Sequence, residues 1–183
     1  MNINCPNSII DIYNAFKNEY NFNEKDCLLH EHYNYNVFND TKNKLTNDSD
    51  FDFNFIIDYF NLCRKCYTLH YENVVFNILC ENKLNKKSIN KLCKNIYRVY
   101  LTAKLYNINK NFVFFIVLYP GKRKLPKNNS NINAVNINGG FRYCKGSNIY
   151  IIREQDYEKV ILHELLHHNI IMHHEEWSYE NIN

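Results

Sequence analysis

The sequence is poor in the residues that loosen or interrupt a polypeptide. Its 183 residues include only 4 glycines and 3 prolines, which excludes collagen-like, glycine-linker and proline-rich proteins. It also lacks a run of about 18 apolar residues, the length that a transmembrane helix needs. We therefore predict no membrane segment and no membrane partner.

The first residues, Met1–Pro6, carry neither the basic region nor the apolar run of a secretory signal. The seven cysteines are an odd number and, without a signal, indicate reduced thiols rather than a disulfide framework. We therefore expect an intracellular protein that is not secreted.

One pair of cysteines, Cys63-x-x-Cys66 with His70 after it, has the spacing of half a zinc site. Cys80 or Cys93 would supply a further ligand. A second C-x-x-C is missing, so the interpretation we favour is free cysteines on helices.

Asparagine is abundant instead, with 33 residues interleaved with isoleucine and aromatic residues. Asparagine, lysine, isoleucine, tyrosine and phenylalanine are all read from A/T-rich codons, so this bias indicates an A+T-rich genome rather than a function. With 45% hydrophobic and 22% charged residues, the chain is expected to fold around a core. A net charge of +3 is too small to indicate a nucleic-acid partner by itself.

The pattern along the chain predicts an α+β fold. We expect a helical N-terminal extension over residues 1–85, packed on a core over residues 86–183. The extension is predicted to hold helices over 8–20, 53–66 and 71–80. The core is predicted to hold a helix over 88–106, strands over 111–119, 132–138 and 148–153, and a helix over 154–171.

The last predicted helix contains His163-Glu164-Leu165-Leu166-His167, the pattern H-E-x-x-H. Residues four apart lie about 40° apart around a helix, so both imidazoles can reach one ion. The apolar side chains fall on the opposite face, where they would pack on a sheet. Zinc held by His163, His167 and a third ligand leaves one position for water. Glu164 would then act as the general base on that water and pass its proton to the leaving amine.

The third ligand has several candidates. His173 follows His167 by six residues, the spacing of the long motif H-E-x-x-H-x-x-G-x-x-H. In an unbroken helix His173 would lie about 15 Å along the axis from His163, so the helix must end before it. Ile170 replaces the usual glycine, and Asn169 is the best candidate for the turn. The alternatives to His173 are His174, Glu175, Glu176 and Glu180.

The order helix, strand, basic loop, edge strand, strand and H-E-x-x-H helix resembles the minimal zincin metallopeptidase core. The segments 121–126, 135–141, 149–154 and 159–167 resemble uncharacterised metallopeptidases of large DNA viruses. A weaker resemblance is to the WLM family of DNA–protein-crosslink proteases, in which an Asn-x-Asn-x-Gly strand precedes the active helix. These resemblances imply zinc as cofactor, His163, His167 and His173 as ligands, and Glu164 as base.

The same resemblance implies where a peptide substrate would bind. In zincins the strand before the active helix commonly pairs with an extended substrate, which here implicates residues 135–140, among them Asn138, Gly139 and Gly140, or residues 148–152. An ordinary internal hairpin is the alternative. The basic loop 122–127 would contact phosphates or an acidic substrate, although a solvated turn is the interpretation we favour.

The sequence thus predicts a zinc-dependent metallopeptidase that acts on a protein or peptide, with residues 86–183 as its catalytic core. The resemblance implies a viral origin, with the protein in the cytoplasm of its host or source cell or in a virion. Nucleic acid is kept as an alternative partner with weaker support. The competing class is a non-catalytic protein of the zincin fold with a structural or host-interaction role.

Overall fold

A computed structural model describes much of the chain. The described residues are 14, 17, 21–32, 36–39, 43, 54–106, 108–124, 126, 131–132, 136, 139–142 and 148–166. Within these ranges the fold is α+β, with six strands in one sheet and three α-helices.

The strands are β1 (Leu28–His32), β2 (Lys65–Tyr71), β3 (Val74–Cys80), β4 (Phe112–Val117), β5 (Gly140–Arg142) and β6 (Asn148–Ile151). The helices are α1 (Asn54–Leu62), α2 (Lys86–Leu105) and α3 (Tyr157–Leu166). Short 3-10 turns occupy Glu24–Asp26 and Asn36–Phe38.

The six strands form a mixed sheet in the order β1-β2-β3-β4-β6-β5. The three central strands β3, β4 and β6 are parallel, whereas β1, β2 and β5 pair antiparallel with their neighbours. Parallel strands need a crossover connection, and α2 supplies the one between β3 and β4. β5 therefore lies at one edge of the sheet, beside the strand that leads into α3.

Helices cover both faces of the sheet. On one face, apolar side chains of β2, β3, β4 and β6 form a core with α2 and α3. On the other face, a second core contains α1, through Ile56 and Tyr59, and the outward side chains of β4 and β6. Because β4 is buried from both sides, its sequence Phe-Val-Phe-Phe-Ile-Val is apolar throughout.

The helix predicted over 88–106 is confirmed as α2. It begins two residues earlier because the Asn85 side chain caps it, accepting a hydrogen bond of 2.9 Å from the Ser88 backbone N–H. Its lysines face outward and its apolar stripe enters the core. No helix in the described part of the chain is both long enough and apolar enough to span a bilayer.

The strands predicted over 111–119 and 148–153 are confirmed as β4 and β6, with shorter bounds. The helix predicted over 154–171 is confirmed between 157 and 166, and its remainder lies outside the described residues. Of the helix predicted over 8–20, only residues 14 and 17 are described, and both are helical.

Two predicted helices need correction. The helix predicted over 71–80 is wrong, because these residues complete the hairpin of β2 and β3. Pairing with β4 buries both faces of β3, so an apolar run that is ambiguous locally becomes a strand. The helix predicted over 53–66 ends at Leu62, and Cys66 lies in β2.

The strand predicted over 132–138 is not seen at either of its described residues, Ile132 and Asn136. Asn136 instead donates a side-chain hydrogen bond of 2.5 Å to the Lys124 carbonyl. The edge strand is β5, a few residues later, where glycine permits a close approach to α3.

The N-terminal part of the chain is less helical than predicted. Three of the six strands, β1, β2 and β3, lie before residue 85, so the helical description of residues 1–85 is wrong for those segments. One sheet extends across the predicted boundary because β3 pairs with β4. Such pairing between distant segments leaves no local sequence pattern.

We expect the Phe114→Ala variant to lose about 3–5 kcal/mol of unfolding free energy, because the truncation leaves a cavity in the centre of the sheet. Phe114 is fully buried and its ring meets Phe76 edge to face, with centroids 5.0 Å apart. Leu28→Ala is the control, since Leu28 is 60% exposed and should cost less than about 0.5 kcal/mol. Urea unfolding followed by circular dichroism measures both, and equal costs would contradict this description of the core.

Candidate active site

The helix α3 is anchored by one face and presents the other to a cleft. Tyr157, Ile161 and Leu165, spaced four residues apart, are buried against the sheet and α2. His163 is exposed, and Glu164 lies between the two faces with only 8% of its surface exposed.

An ion pair also connects α3 to α2: Nζ of Lys91 lies 2.9 Å from Oε1 of Glu158. The hydrogen bond from Lys91 lowers the pKa of Glu158.

A cleft of about 560 Å³ lies between α3 and the edge of the sheet. We call it the α3–β5 cleft; its lining residues are Arg123, Gly139, Gly140, Asp156, Lys159, Val160, His163 and Glu164. It therefore brings together the first two residues of the H-E-x-x-H pattern and two of the predicted substrate-binding residues.

Two glycines allow close packing on the strand side of this cleft. A Cβ atom on Gly140 would lie 2.6 Å from Cγ1 of Val160 and 2.8 Å from the carbonyl oxygen of Tyr150. A Cβ on Gly139 would overlap the guanidinium of Arg123. The absence of side chains at these two positions lets α3 and the basic loop approach the backbone of the edge strand.

The basic loop forms one end of the cleft. Nε of Arg123 lies 3.3 Å from Oδ2 of Asp156, and the Arg123 backbone N–H donates to Oε1 of Gln155 at 3.0 Å. The prediction of a solvated turn fits Lys122 and Lys124, which are exposed. It is wrong for Arg123, because this side chain is held against the start of α3.

A buried arginine, Arg153, forms a hydrogen bond with the backbone at the start of this loop. Arg153 is 1% exposed, donates a hydrogen bond of 2.6 Å to the Gly121 carbonyl and lies 5.8 Å from the centre of the Tyr119 ring. Its burial lowers its pKa, and the nearby charge of Arg123 acts in the same direction. These contacts fix the loop to the segment that joins β6 to α3.

The remaining predicted site residues lie outside the described residues: Asn138, His167, His173, His174, Glu175, Glu176 and Glu180. Within the part of the chain that is described, no three His, Cys, Asp or Glu side chains are grouped to hold a metal ion. Of the predicted catalytic and metal-binding residues, the structure describes His163 and Glu164.

Sequence reasoning missed three residues of the cleft: Arg123, Asp156 and Lys159. Asp156 and Lys159 precede His163 by seven and four residues, a helical spacing that places all three toward one side of α3. This signal was present in the sequence. The position of Arg123 depends on the path of the loop and had no such signal.

The four cysteines of the alternative zinc site are divided between the two cores. Cys63 and Cys66 belong to the core on the α1 face of the sheet, whereas Cys80 and Cys93 belong to the core on the α2 face. All four are buried. Their assignment to helices is wrong for three of them, because Cys63 follows the end of α1, and Cys66 and Cys80 lie in strands.

No protein-family model, curated protein or solved structure matches this chain. A function for the α3–β5 cleft therefore has to be inferred from the chemistry of its own residues.

Burial should make the core thiols unreactive in the folded protein. Desolvation raises the pKa of Cys63 to about 12, of Cys66 to about 11 and of Cys80 to about 12, so at pH 8 they stay protonated and are poor nucleophiles. We expect iodoacetamide to label them at least about 100-fold more slowly than in urea. Peptide mass mapping measures labelling at each cysteine. Labelling that becomes fast only after a chelator is added would instead indicate a bound metal ion.

We expect the Gly140→Ala variant to lose about 1–3 kcal/mol of stability, because its Cβ would press on Val160 and on the Tyr150 carbonyl. In a Val160→Ala background the penalty should be smaller, since one of the two close contacts is removed. Urea unfolding of the two single variants and the double variant measures this coupling. A penalty that is unchanged in the Val160→Ala background would contradict the close packing of α3 on β5.

Proposed function

We propose that this protein is a zinc-dependent metallopeptidase in which Glu164 acts as the general base. The observation that carries this proposal is the shared cleft: the His163–Glu164 turn of α3 faces the glycine pair Gly139–Gly140 at the edge strand. A histidine, a carboxylate and an extended backbone edge are the groups that metal-assisted peptide hydrolysis needs in one place.

The order of elements supports a zincin-like core. Along the chain, α2 is followed by β4, the basic loop, β5, β6 and α3. This is the order helix, strand, basic loop, edge strand, strand and H-E-x-x-H helix on which the zincin resemblance is based. The antiparallel strand β5 lies at the sheet edge, on the same side of the cleft as the two glycines.

The chemistry of the donor set fits zinc. His163 is exposed in the cleft, and His167 would join it if α3 continues for one more residue, because i and i+4 share a helix face. His173 would complete the set, with His174, Glu175, Glu176 and Glu180 as alternatives. When bound, zinc would polarise the peptide carbonyl and lower the pKa of a water molecule.

The environment of Glu164 suits a proton carrier. Its side chain is largely buried, yet it lines the cleft next to His163. Such a carboxylate would accept a proton from the attacking water and donate it to the nitrogen of the leaving amine. A glutamate that served only to make the helix soluble would be expected on the exposed face.

The edge strand would position the substrate. β5 is the edge strand of the described sheet, and a sheet edge is a general site for the addition of an extended peptide strand. A peptide added along β5 would present its carbonyl to the His163–Glu164 turn.

We expect Glu164→Gln to lose about 10²- to 10⁴-fold of peptide hydrolysis while keeping about one equivalent of bound zinc. Glutamine has the same shape but cannot accept the proton. Hydrolysis of casein and a zinc assay by atomic absorption measure the two properties. Glu154→Gln, a neutralisation at an exposed glutamate outside the cleft, is the matched control and should retain both.

Histidine variants test the ligands in the same two assays. His163→Ala should lose zinc and hydrolysis together, whereas His30→Ala, in the exposed part of β1, should lose neither. His173→Ala should also lose zinc; unchanged metal content would move the third ligand to His174 or a glutamate. Full proteolysis by Glu164→Gln would refute the mechanism, and zinc binding without any hydrolysis by the unmodified protein would favour a non-catalytic zincin fold.

A further inference from the structure

The end of the α3–β5 cleft near the start of α3 is rich in positive charge. Arg123 and Lys159 line it directly, and the buried guanidinium of Arg153 lies behind the same loop. Among the described residues that line the cleft, Asp156 is the carboxylate at this end, and it is paired with Arg123. Lys159 is exposed, so the end as a whole favours a negatively charged ligand.

The spacing along α3 relates this charge to the proposed reaction centre. Lys159 precedes His163 by four residues, or about 6 Å along the helix axis. An extended peptide advances about 3.3 Å per residue. A substrate side chain that reaches Lys159 and Arg123 would therefore belong to a residue about two positions from the bond that is cut.

We propose that the α3–β5 cleft selects peptides that carry an aspartate or glutamate about two residues from the scissile bond, held by Lys159 and Arg123. This inference rests on the proposed peptidase function and specifies its substrate class. The arginine is already oriented by Asp156, so its guanidinium loses little freedom on binding a carboxylate.

A peptide fits this cleft better than a nucleic acid does. The described residues that line it include two glycines at the edge strand and no aromatic side chain. A backbone edge recognises another extended backbone by strand addition, whereas proteins that bind single-stranded nucleic acid combine cations with aromatic surfaces for stacking bases.

Binding can be measured without turnover by using the Glu164→Gln protein loaded with zinc. The probes are fluorescein-labelled decapeptides of one neutral sequence, in which a single glutamate or glutamine is moved through each position. Fluorescence anisotropy should show about tenfold tighter binding for glutamate than for glutamine at one position. Cleavage of the same peptides by the unmodified protein should locate that position about two residues from the cut.

Substitution of the cations should remove this preference. In Lys159→Gln and Arg123→Gln the ratio of glutamate to glutamine affinity should fall below about twofold. Lys159→Gln is the safer variant for folding because its side chain is exposed. Lys159→Glu should reverse the preference toward a lysine-containing peptide. Lys94→Gln, an equal loss of charge on the exposed face of α2, should leave the ratio unchanged.

The outcomes separate this inference from the proposed function. If hydrolysis depends on Glu164 but acidic and neutral peptides bind and are cut equally, the peptidase proposal stands and the acidic preference is overturned. If acidic peptides bind through Lys159 but no hydrolysis depends on Glu164, acidic recognition is supported and the peptidase proposal fails. A 20-nucleotide single-stranded DNA that displaces the peptide and loses affinity in Lys159→Gln would overturn the peptide assignment.

Discussion

The α3–β5 cleft depends on how closely α3 lies against the edge of the sheet. Ile161 and Leu165 pack α3 on the core. Because residue 140 is glycine, no Cβ atom there pushes β5 away from the helix. Interiors are close-packed, so a helix anchored in this way has little freedom to rotate. With its apolar stripe fixed, His163 and Glu164 must face the opening between the helix and β5.

A second set of contacts fixes the other end of the cleft. The β4–β5 connection carries Arg123 to the start of α3, where Asp156 meets its guanidinium, and buried Arg153 holds the Gly121 carbonyl. A fully buried charge is costly unless it is hydrogen-bonded. The loop therefore supplies the hydrogen-bond acceptor that Arg153 needs, and this hydrogen bond also fixes the path of the loop. The same cations that stabilise this corner give the cleft its positive end, so the proposed selectivity follows from the way in which the loop is attached.

The sequence predicted the elements with strong local patterns. Three elements have such patterns: the apolar stripe of α2, the continuous apolar run of β4, and the described part of the last predicted helix, which is α3. The hairpin of β2 and β3 was misjudged because an aromatic and β-branched run fits either a buried helix or a buried strand until its neighbours are known. The short strand β5 has only three residues and owes its existence to β6.

The sequence by itself determined the chemistry that this protein can offer: a helix with His163 and Glu164 on adjacent positions, glycines ahead of it, and a basic loop between two strands. Only the tertiary structure decided that Gly139, Gly140 and Arg123 face that helix across one cleft. The reason is physical. Helical spacing is set by local backbone geometry, so it can be read along the chain. The approach of residues 123, 140 and 163 depends instead on the order of the strands and on close packing at the glycines. Both result from contacts between distant segments.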